Sequence, residues 1–184
     1  MKTPINGIHL AYSDQGRGTT LVFIHAFPLS RAMWDPQVQV FAKEYRVITV
    51  DLRGHGESDA PLWHYTLDQF TDDLNALLSH LSLSQAVFIG LSMGGYILMA
   101  FSRKYPEKVK AVVFADTRAH ADTEEGQAGR FEMAQNAYKD GPEAIADLML
   151  PKLLSQTSRE SKTELVEKLR SIIVHNQYLG SSVI

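Results

Sequence analysis

The chain has 184 residues, 45% of them hydrophobic and 21% charged, which is typical of a single globular domain. Its net charge of −3 without a basic patch argues against a nucleic-acid partner, and the lack of cysteine excludes disulfides and thiolate metal sites. The seven histidines show no metal-binding spacing, so neither a metal nor another cofactor is predicted. No signal-peptide core or membrane-spanning run is recognisable, so we expect a cytoplasmic protein without a membrane partner.

The first part of the chain alternates predicted strands and helices. Asn6-Gly7 predicts a hairpin turn, followed by a strand in which every second residue from Ile8 is apolar. Apolar runs predict four further strands, near residues 21–25, 46–50, 85–90 and 109–115. Residues 67–81 carry leucines at helical spacing. This alternation indicates the α/β class, with a mostly parallel sheet flanked by helices.

The chain after residue 116 contains no clear strand. Residues 124–139 look helical and Gly141 lies beyond their end, so a second helix is expected to start at Pro142. A capping box, Ser161-Lys162-Thr163-Glu164, predicts the start of a third helix. We therefore expect an α/β core over residues 1–116 and a helical segment over residues 117–184.

Gly90-Leu91-Ser92-Met93-Gly94 lies between a predicted strand and an apolar helix. A sharp turn here would strain the serine and bring two backbones together, which Gly90 and Gly94 permit because they lack a Cβ atom. The helix N-terminus behind Ser92 would favour negative charge developing on a substrate oxygen. A plain Gly/Ser loop is the alternative, but the strand-turn-helix context favours a nucleophilic serine.

Two further motifs follow strands, His25-Ala26-Phe27-Pro28 and Asp51-Leu52-Arg53-Gly54-His55-Gly56-Glu57-Ser58. With residues 90–94, and in this order, they resemble the α/β-hydrolase fold family, nearest to small esterases, enol-lactonases and cofactor-free haloperoxidases. The resemblance implies that Ser92 attacks a carbonyl carbon, while the backbone N–H groups of Phe27 and Met93 form the oxyanion hole. It also implies that the helical segment is a cap over the serine.

Other polar residues of these motifs are expected to be structural. We expect His25 to hold its loop by hydrogen bonds, and Asp51 to form a buried ion pair with Arg53 or to cap nearby backbone. His55 and Asp51 could be mistaken for a catalytic pair, but a rigid turn explains them more simply.

The predicted substrate-binding residues are apolar. They are Phe27, Leu91, Met93 and Trp34, with Trp63, Phe131 and Met149 as further candidates for the pocket wall. Plain core packing is the alternative explanation for each of them.

The serine also needs a base, and the base needs an orienting acid. The family order is serine, acid, histidine, which Asp116 and His175 satisfy formally, although His175 is more simply an exposed residue at a helix end. Because the family's later strands are not recognisable and residues 177–184 are unfamiliar, we expect a truncated hydrolase. Its last strand would be an exposed sheet edge, which predicts a homo-oligomer or a complex with a complementing C-terminal fragment.

Two functions therefore stay open. The first is a serine hydrolase of small apolar esters or lactones, with perhydrolysis as a variant that uses the same residues. A serine at the turn argues against relatives that use an aspartate there, such as epoxide hydrolases. The second is a non-catalytic truncated or engineered fragment that assembles through its sheet edge. A histidine nitrogen within hydrogen-bond reach of the Ser92 hydroxyl would distinguish them.

Overall fold

A computed structural model describes residues 1–62 and 64–176, so Trp63 and residues 177–184 lie outside the described residues. Six strands form one sheet in the order β1-β2-β4-β3-β5-β6. Their bounds are β1 Lys2–Ile5, β2 Ile8–Gln15, β3 Thr20–Ile24, β4 Arg46–Val50, β5 Ala86–Leu91 and β6 Val109–Ala115. Strand β2 pairs antiparallel with β1 and β4, and all other neighbours are parallel. The predicted fold class is confirmed.

Helices flank this sheet and fill the second part of the chain. They are α1 Asp35–Phe41, α2 Leu67–His80, α3 Met93–Lys104, α4 Glu124–Leu153, α5 Gln156–Ser161 and α6 Thr163–Val174, with short 3₁₀ helices at Arg31–Trp34 and Pro106–Lys108. Gly141, at φ 81° and ψ −178°, divides α4 into two helical parts, as the sequence predicted. None of the helices in the described ranges is long and apolar enough to cross a bilayer.

The predicted capping box at residues 161–164 is wrong. Ser161 closes α5 instead, and its hydroxyl donates a hydrogen bond of 2.6 Å to the Thr157 carbonyl. Helix α6 starts after Lys162 without a side-chain cap. The motif fails because Ser155, whose hydroxyl accepts from the Ser158 N–H at 3.2 Å, starts an extra short helix that includes Ser161 as its last residue.

The core lies on both faces of the sheet, because side chains of a strand alternate between its faces. Val22, Ile24 and Phe88 pack with α2 and α3, and all three are almost fully buried. Leu21 and Phe23 pack on the opposite face, against Trp34, Val38 and Val47. The parallel strands β3, β4 and β5 are therefore covered on both sides, and their carboxyl ends carry the three motifs.

Strand β6 forms one edge of the sheet. It pairs with β5 through Val113 opposite Ile89 and Phe114 opposite Gly90, and no other described strand pairs with it. Val113 and Phe114 are 50% and 48% exposed. A parallel strand with apolar residues normally lies inside a covered sheet, so this edge is unusually open.

The helical segment packs onto the core beside the His25 motif. Leu29 shares a buried cluster with Ile145, Ala146 and Ile173. Asn176, buried at the end of α6, donates to the Pro28 carbonyl at 2.7 Å and accepts from the Gly56 N–H at 2.6 Å.

Candidate active site

Ser92 occupies a strained turn between β5 and α3. Its φ and ψ of 52° and −110° are unfavourable for a residue with a Cβ atom. The Ser92 N–H donates to the Ala115 carbonyl at 3.0 Å, and the Ser92 carbonyl accepts from the Gly95 N–H at 2.8 Å and the Thr117 hydroxyl at 2.9 Å. These bonds to β6, to α3 and to the loop after β6 hold the serine at the carboxyl end of the sheet.

Two glycines allow the close approach that the turn requires. A Cβ atom on Gly94 would lie 2.5 Å from the Ile24 carbonyl oxygen, and one on Gly90 would lie 2.6 Å from the Gly94 carbonyl. Both contacts are with backbone atoms, which cannot rotate away. The prediction that these positions need glycine is confirmed.

The His25 loop places a second element beside the serine. Because the Leu52 N–H donates to His25 Nε2 at 3.1 Å, the other ring nitrogen carries the proton and donates to the Ala26 carbonyl at 3.0 Å. Complete burial lowers the pKa of His25 to about 4, so the ring is neutral at pH 7. His25 therefore fixes the loop, as the sequence predicted. The backbone of Ala26 does not have the left-handed conformation that would require glycine, so the methyl group fits without strain.

Ser92, Phe27 and Met93 line one cavity of about 340 Å³. Within the described residues, neither the Phe27 nor the Met93 N–H donates to a protein acceptor. Tyr96 of α3 lines the cavity as well. The other lining residues belong to the helical segment, and they are Arg118, Asp122, Gly126, Gly129, Arg130, Met133, Ala134, Met149 and Lys152. The volume of the cavity suits a small ligand.

The structure does not bring His175 to this cavity. His175 is exposed at the end of α6, its Nδ1 hydrogen-bonds the Ser171 carbonyl at 2.7 Å, and it lines a different cavity together with Arg31 and Asp51. Asp116 is exposed directly after β6, at φ 39°, and does not line the Ser92 cavity. No histidine lines that cavity in the part of the chain that the structure describes. Trp63 and residues 177–184 contain no histidine either.

The predicted ion pair between Asp51 and Arg53 is wrong. Asp51 pairs with Arg31 and also accepts from the Arg31 N–H at 2.7 Å. Arg53 instead makes two hydrogen bonds of 2.9 Å to Asp73. The predicted alternative, that Asp51 caps backbone, is confirmed by its 2.9 Å bond from the Glu57 N–H.

His55 is buried and structural. Its Nδ1 hydrogen-bonds the Arg53 carbonyl at 3.0 Å, and its ring centroid lies 5.0 Å from that of His25. Burial, and secondarily the neighbouring His25, lower the pKa of His55 to about 3. A neutral ring without a hydrogen bond to Asp51 does not form a catalytic pair.

Only some of the predicted pocket residues line the Ser92 cavity. Phe27, Met93 and Met149 line the Ser92 cavity. Trp34 and Leu91 do not, since Trp34 packs 5.0 Å from the Phe23 ring in the core and Leu91 packs against the same cluster. Phe131, 49% exposed, lines a neighbouring cleft. Trp63 lies outside the described residues.

Sequence reasoning missed the charged lining of the cavity. Arg118, Arg130 and Lys152 were not predicted, nor was Asp122. A signal existed, because positions 126, 129, 130, 133 and 134 recur at helical spacing and share one face of α4. That face reads as two glycines, an arginine, a methionine and an alanine, which lacks the leucine-rich signature of a core-facing stripe.

Comparisons with known proteins identify the family and the fold of the chain. The profile of the alpha/beta hydrolase fold family matches residues 19–176. The chain is 33% identical over 162 residues to 3-oxoadipate enol-lactonase 2 of Acinetobacter baylyi, covering 88% of this chain and 60% of that protein.

Two solved structures superpose closely on the chain. One is a thermophilic esterase from Thermogutta terrifontis in a malate-bound form (TM-score 0.90, 38% identity, 98% of this chain and 67% of that one). The other is the enol-lactonase from Burkholderia xenovorans LB400 (TM-score 0.91, 30% identity, 98% and 70%). The chain thus spans about two thirds of the length of these two solved structures, and 60% of the curated enol-lactonase.

Proposed function

Because the chain belongs to the α/β-hydrolase fold family, we propose that it provides the nucleophile and oxyanion hole of a serine hydrolase of small esters or lactones. One observation carries the proposal: Ser92 is held in a strained turn, on the same cavity as two residues whose backbone N–H groups have no described protein acceptor. Relatives named as an enol-lactonase and an esterase support the substrate class.

In the proposed reaction the Ser92 hydroxyl oxygen attacks the carbonyl carbon, and its proton passes to a base. The Phe27 and Met93 N–H groups would hold the oxyanion, a contribution of about 3–4 kcal/mol per donor in comparable sites. The C–O bond to the leaving group then breaks, the base returns its proton to the departing oxygen so that an alcohol leaves, and an acyl group remains on Ser92. Water attacks that ester, the acid departs, and the serine regains its proton.

Because no described histidine lines the Ser92 cavity of its own copy, we expect a second copy of the chain to supply the base. A complementing C-terminal segment is the alternative source, and in that case the purified chain alone would show no steady turnover. The open edge of β6, where Val113 and Phe114 are half exposed, would pair with a strand of that second copy or segment. Light scattering tests the first route: a dimer or larger assembly is expected, and a sharp monomer mass would reject self-association.

The function itself is tested by hydrolysis of p-nitrophenyl acetate. The purified chain is compared with Ser92→Ala and with Ser84→Ala, an exposed serine outside the cavity. We expect steady turnover in the chain and in Ser84→Ala, and none above background in Ser92→Ala. Equal rates in all three proteins would reject Ser92 as the nucleophile.

A non-catalytic fragment that retains the cavity is the second candidate function. The observation that favours it is the lack of a histidine beside Ser92 in the described ranges. In that case the chain would show no steady turnover, but would gain it when a complementing C-terminal segment is added.

A further inference from the structure

The cavity beside Ser92 carries a local charge opposite to that of the chain. Three basic side chains, Arg118, Arg130 and Lys152, line it, against a single acidic one, Asp122. The whole chain has a net charge of −3. An excess of two positive charges around one small cavity is therefore a local arrangement and does not follow from the overall composition.

The single acid leaves most of this positive charge unneutralised. Asp122 accepts from Arg118 at 2.5 Å and also pairs with Arg130, whose guanidinium lies 6.0 Å from the centre of the Tyr96 ring. These bonds, chiefly the one from Arg130, lower the pKa of Asp122, so it is ionised at pH 7. Lys152 has no acidic partner among the described residues.

Apolar side chains line the same cavity as the serine and the cations. Phe27 and Met93 come from the core, and Met133 and Met149 come from the helical segment that also carries the cations. A ligand that contacts all three kinds of lining residue would present a carbonyl to Ser92, an apolar chain to the methionines and an anionic group to the cations.

We propose that the substrate of this site is an ester or lactone that bears a carboxylate, which Lys152 and Arg130 bind while the reacting carbonyl lies at Ser92. This inference rests on the proposed function and narrows its substrates from small esters or lactones in general to those that carry a carboxylate. Guanidinium and ammonium groups bind carboxylates by charge-assisted hydrogen bonds. A neutral ester would gain nothing from them, so the cations discriminate between substrates of equal length.

Binding of glutarate, a short dicarboxylate, tests the inference without requiring catalysis. Titration calorimetry would compare the chain with Lys152→Met and with Lys139→Met, an exposed lysine on the same helix outside the cavity. We expect Lys152→Met to bind glutarate about five- to tenfold more weakly, roughly the effect of one charge-assisted hydrogen bond at a partly exposed site. Lys139→Met should bind like the unmodified chain.

Asp122→Asn should have the opposite effect on glutarate affinity to Lys152→Met. It removes the competing carboxylate and one negative charge, so glutarate binding should tighten. Affinity should also fall as salt is raised, since partly exposed charges are screened. No detectable glutarate binding, or equal affinity in Lys152→Met and Lys139→Met, would overturn the inference.

Hydrolysis of two matched esters separates this inference from the proposed function. 4-Nitrophenyl hemiglutarate and 4-nitrophenyl pentanoate have acyl chains of equal carbon count and differ in the carboxylate. Glutarate binding without hydrolysis of either ester would reject the function and keep the anion site. Ser92-dependent hydrolysis of both at equal rates, without glutarate binding, would keep the function and reject the inference.

Discussion

Replacement of Gly94 by alanine tests the geometry that presents Ser92. The added Cβ would lie 2.5 Å from the Ile24 carbonyl oxygen, 3.0 Å from its carbon and 3.1 Å from the His25 carbonyl oxygen. These are backbone atoms at the end of β3 and the start of the His25 loop, so relief requires that helix α3 move away from the sheet. The same movement would displace the Met93 N–H.

The magnitude follows from two opposing effects. Alanine in place of glycine in a helix is otherwise favourable by about 0.5–1 kcal/mol, whereas overpacking of a close contact costs about 1–3 kcal/mol and occasionally more. The difference between the two effects predicts that Gly94→Ala lowers the free energy of unfolding by about 1 kcal/mol, and by up to about 2.5 kcal/mol if the backbone contact relaxes poorly.

Gly129→Ala is the matched control for urea denaturation. Gly129 is exposed in α4, and a Cβ atom there would meet nothing within 4 Å. It should gain stability by about 0.5–1 kcal/mol, and because this gain is common to both variants, they should differ by the overpacking cost alone, about 1–3 kcal/mol. A Gly94→Ala variant as stable as Gly129→Ala would refute the close-approach argument.

Three further changes probe the buried polar groups. Burial lowers the pKa of His25 to about 4 and that of His55 to about 3, so the unfolded chain binds these two protons at a higher pH than the folded chain does. The free energy of unfolding should therefore fall as pH drops below about 6.5, by up to about 1.4 kcal/mol per pH unit for each histidine. Urea titrations between pH 8 and 5 check this, and a flat profile contradicts it. Arg53→Met should cost about 3–5 kcal/mol by leaving the Asp73 carboxylate buried and unpaired, and Asp73→Leu in the same chain should restore much of it in thermal melts. Asn176→Ala loses hydrogen bonds of 2.6 and 2.7 Å to neighbouring loops, so its urea midpoint should drop by an amount equivalent to about 1–3 kcal/mol. An unchanged midpoint would show that these bonds do not stabilise the fold.

Features that depend on neighbouring residues were predictable from the sequence. Asn6 and Gly7 have the positive φ values, 46° and 79°, that a tight hairpin turn requires. The glycines around Ser92 were predictable for the same reason, because a strand, a turn and a helix follow one another within a few residues.

Features that depend on distant partners were not predictable. Asp51 pairs with Arg31, which is 20 residues away, and Arg53 pairs with Asp73 at the same separation, so the sequence motif containing both gave the wrong pair. Trp34 was assigned to the pocket because a large apolar residue suits either a pocket or a core. Only the position of α1 and the preceding 3₁₀ helix against β3 decides between them.

The cationic lining of the cavity was also not predictable, because it depends on residues that are distant in the sequence. Arg118 precedes α4, Arg130 lies in its first half and Lys152 near its end, and the kink at Gly141 determines whether the last two face one cavity. Helical periodicity alone places Arg130 with Met133, but it cannot carry a prediction across a change in backbone direction.

The most direct test of the central claim, that Ser92 is the nucleophile of a hydrolase site, is covalent labelling by a fluorophosphonate. The Ser92 oxygen would form a bond to phosphorus as fluoride leaves, and peptide mass spectrometry would locate the adduct. One adduct per chain on Ser92, absent from Ser92→Ala and retained in Ser84→Ala, is the predicted result. An unmodified chain, or equal labelling of Ser92→Ala, would contradict the account.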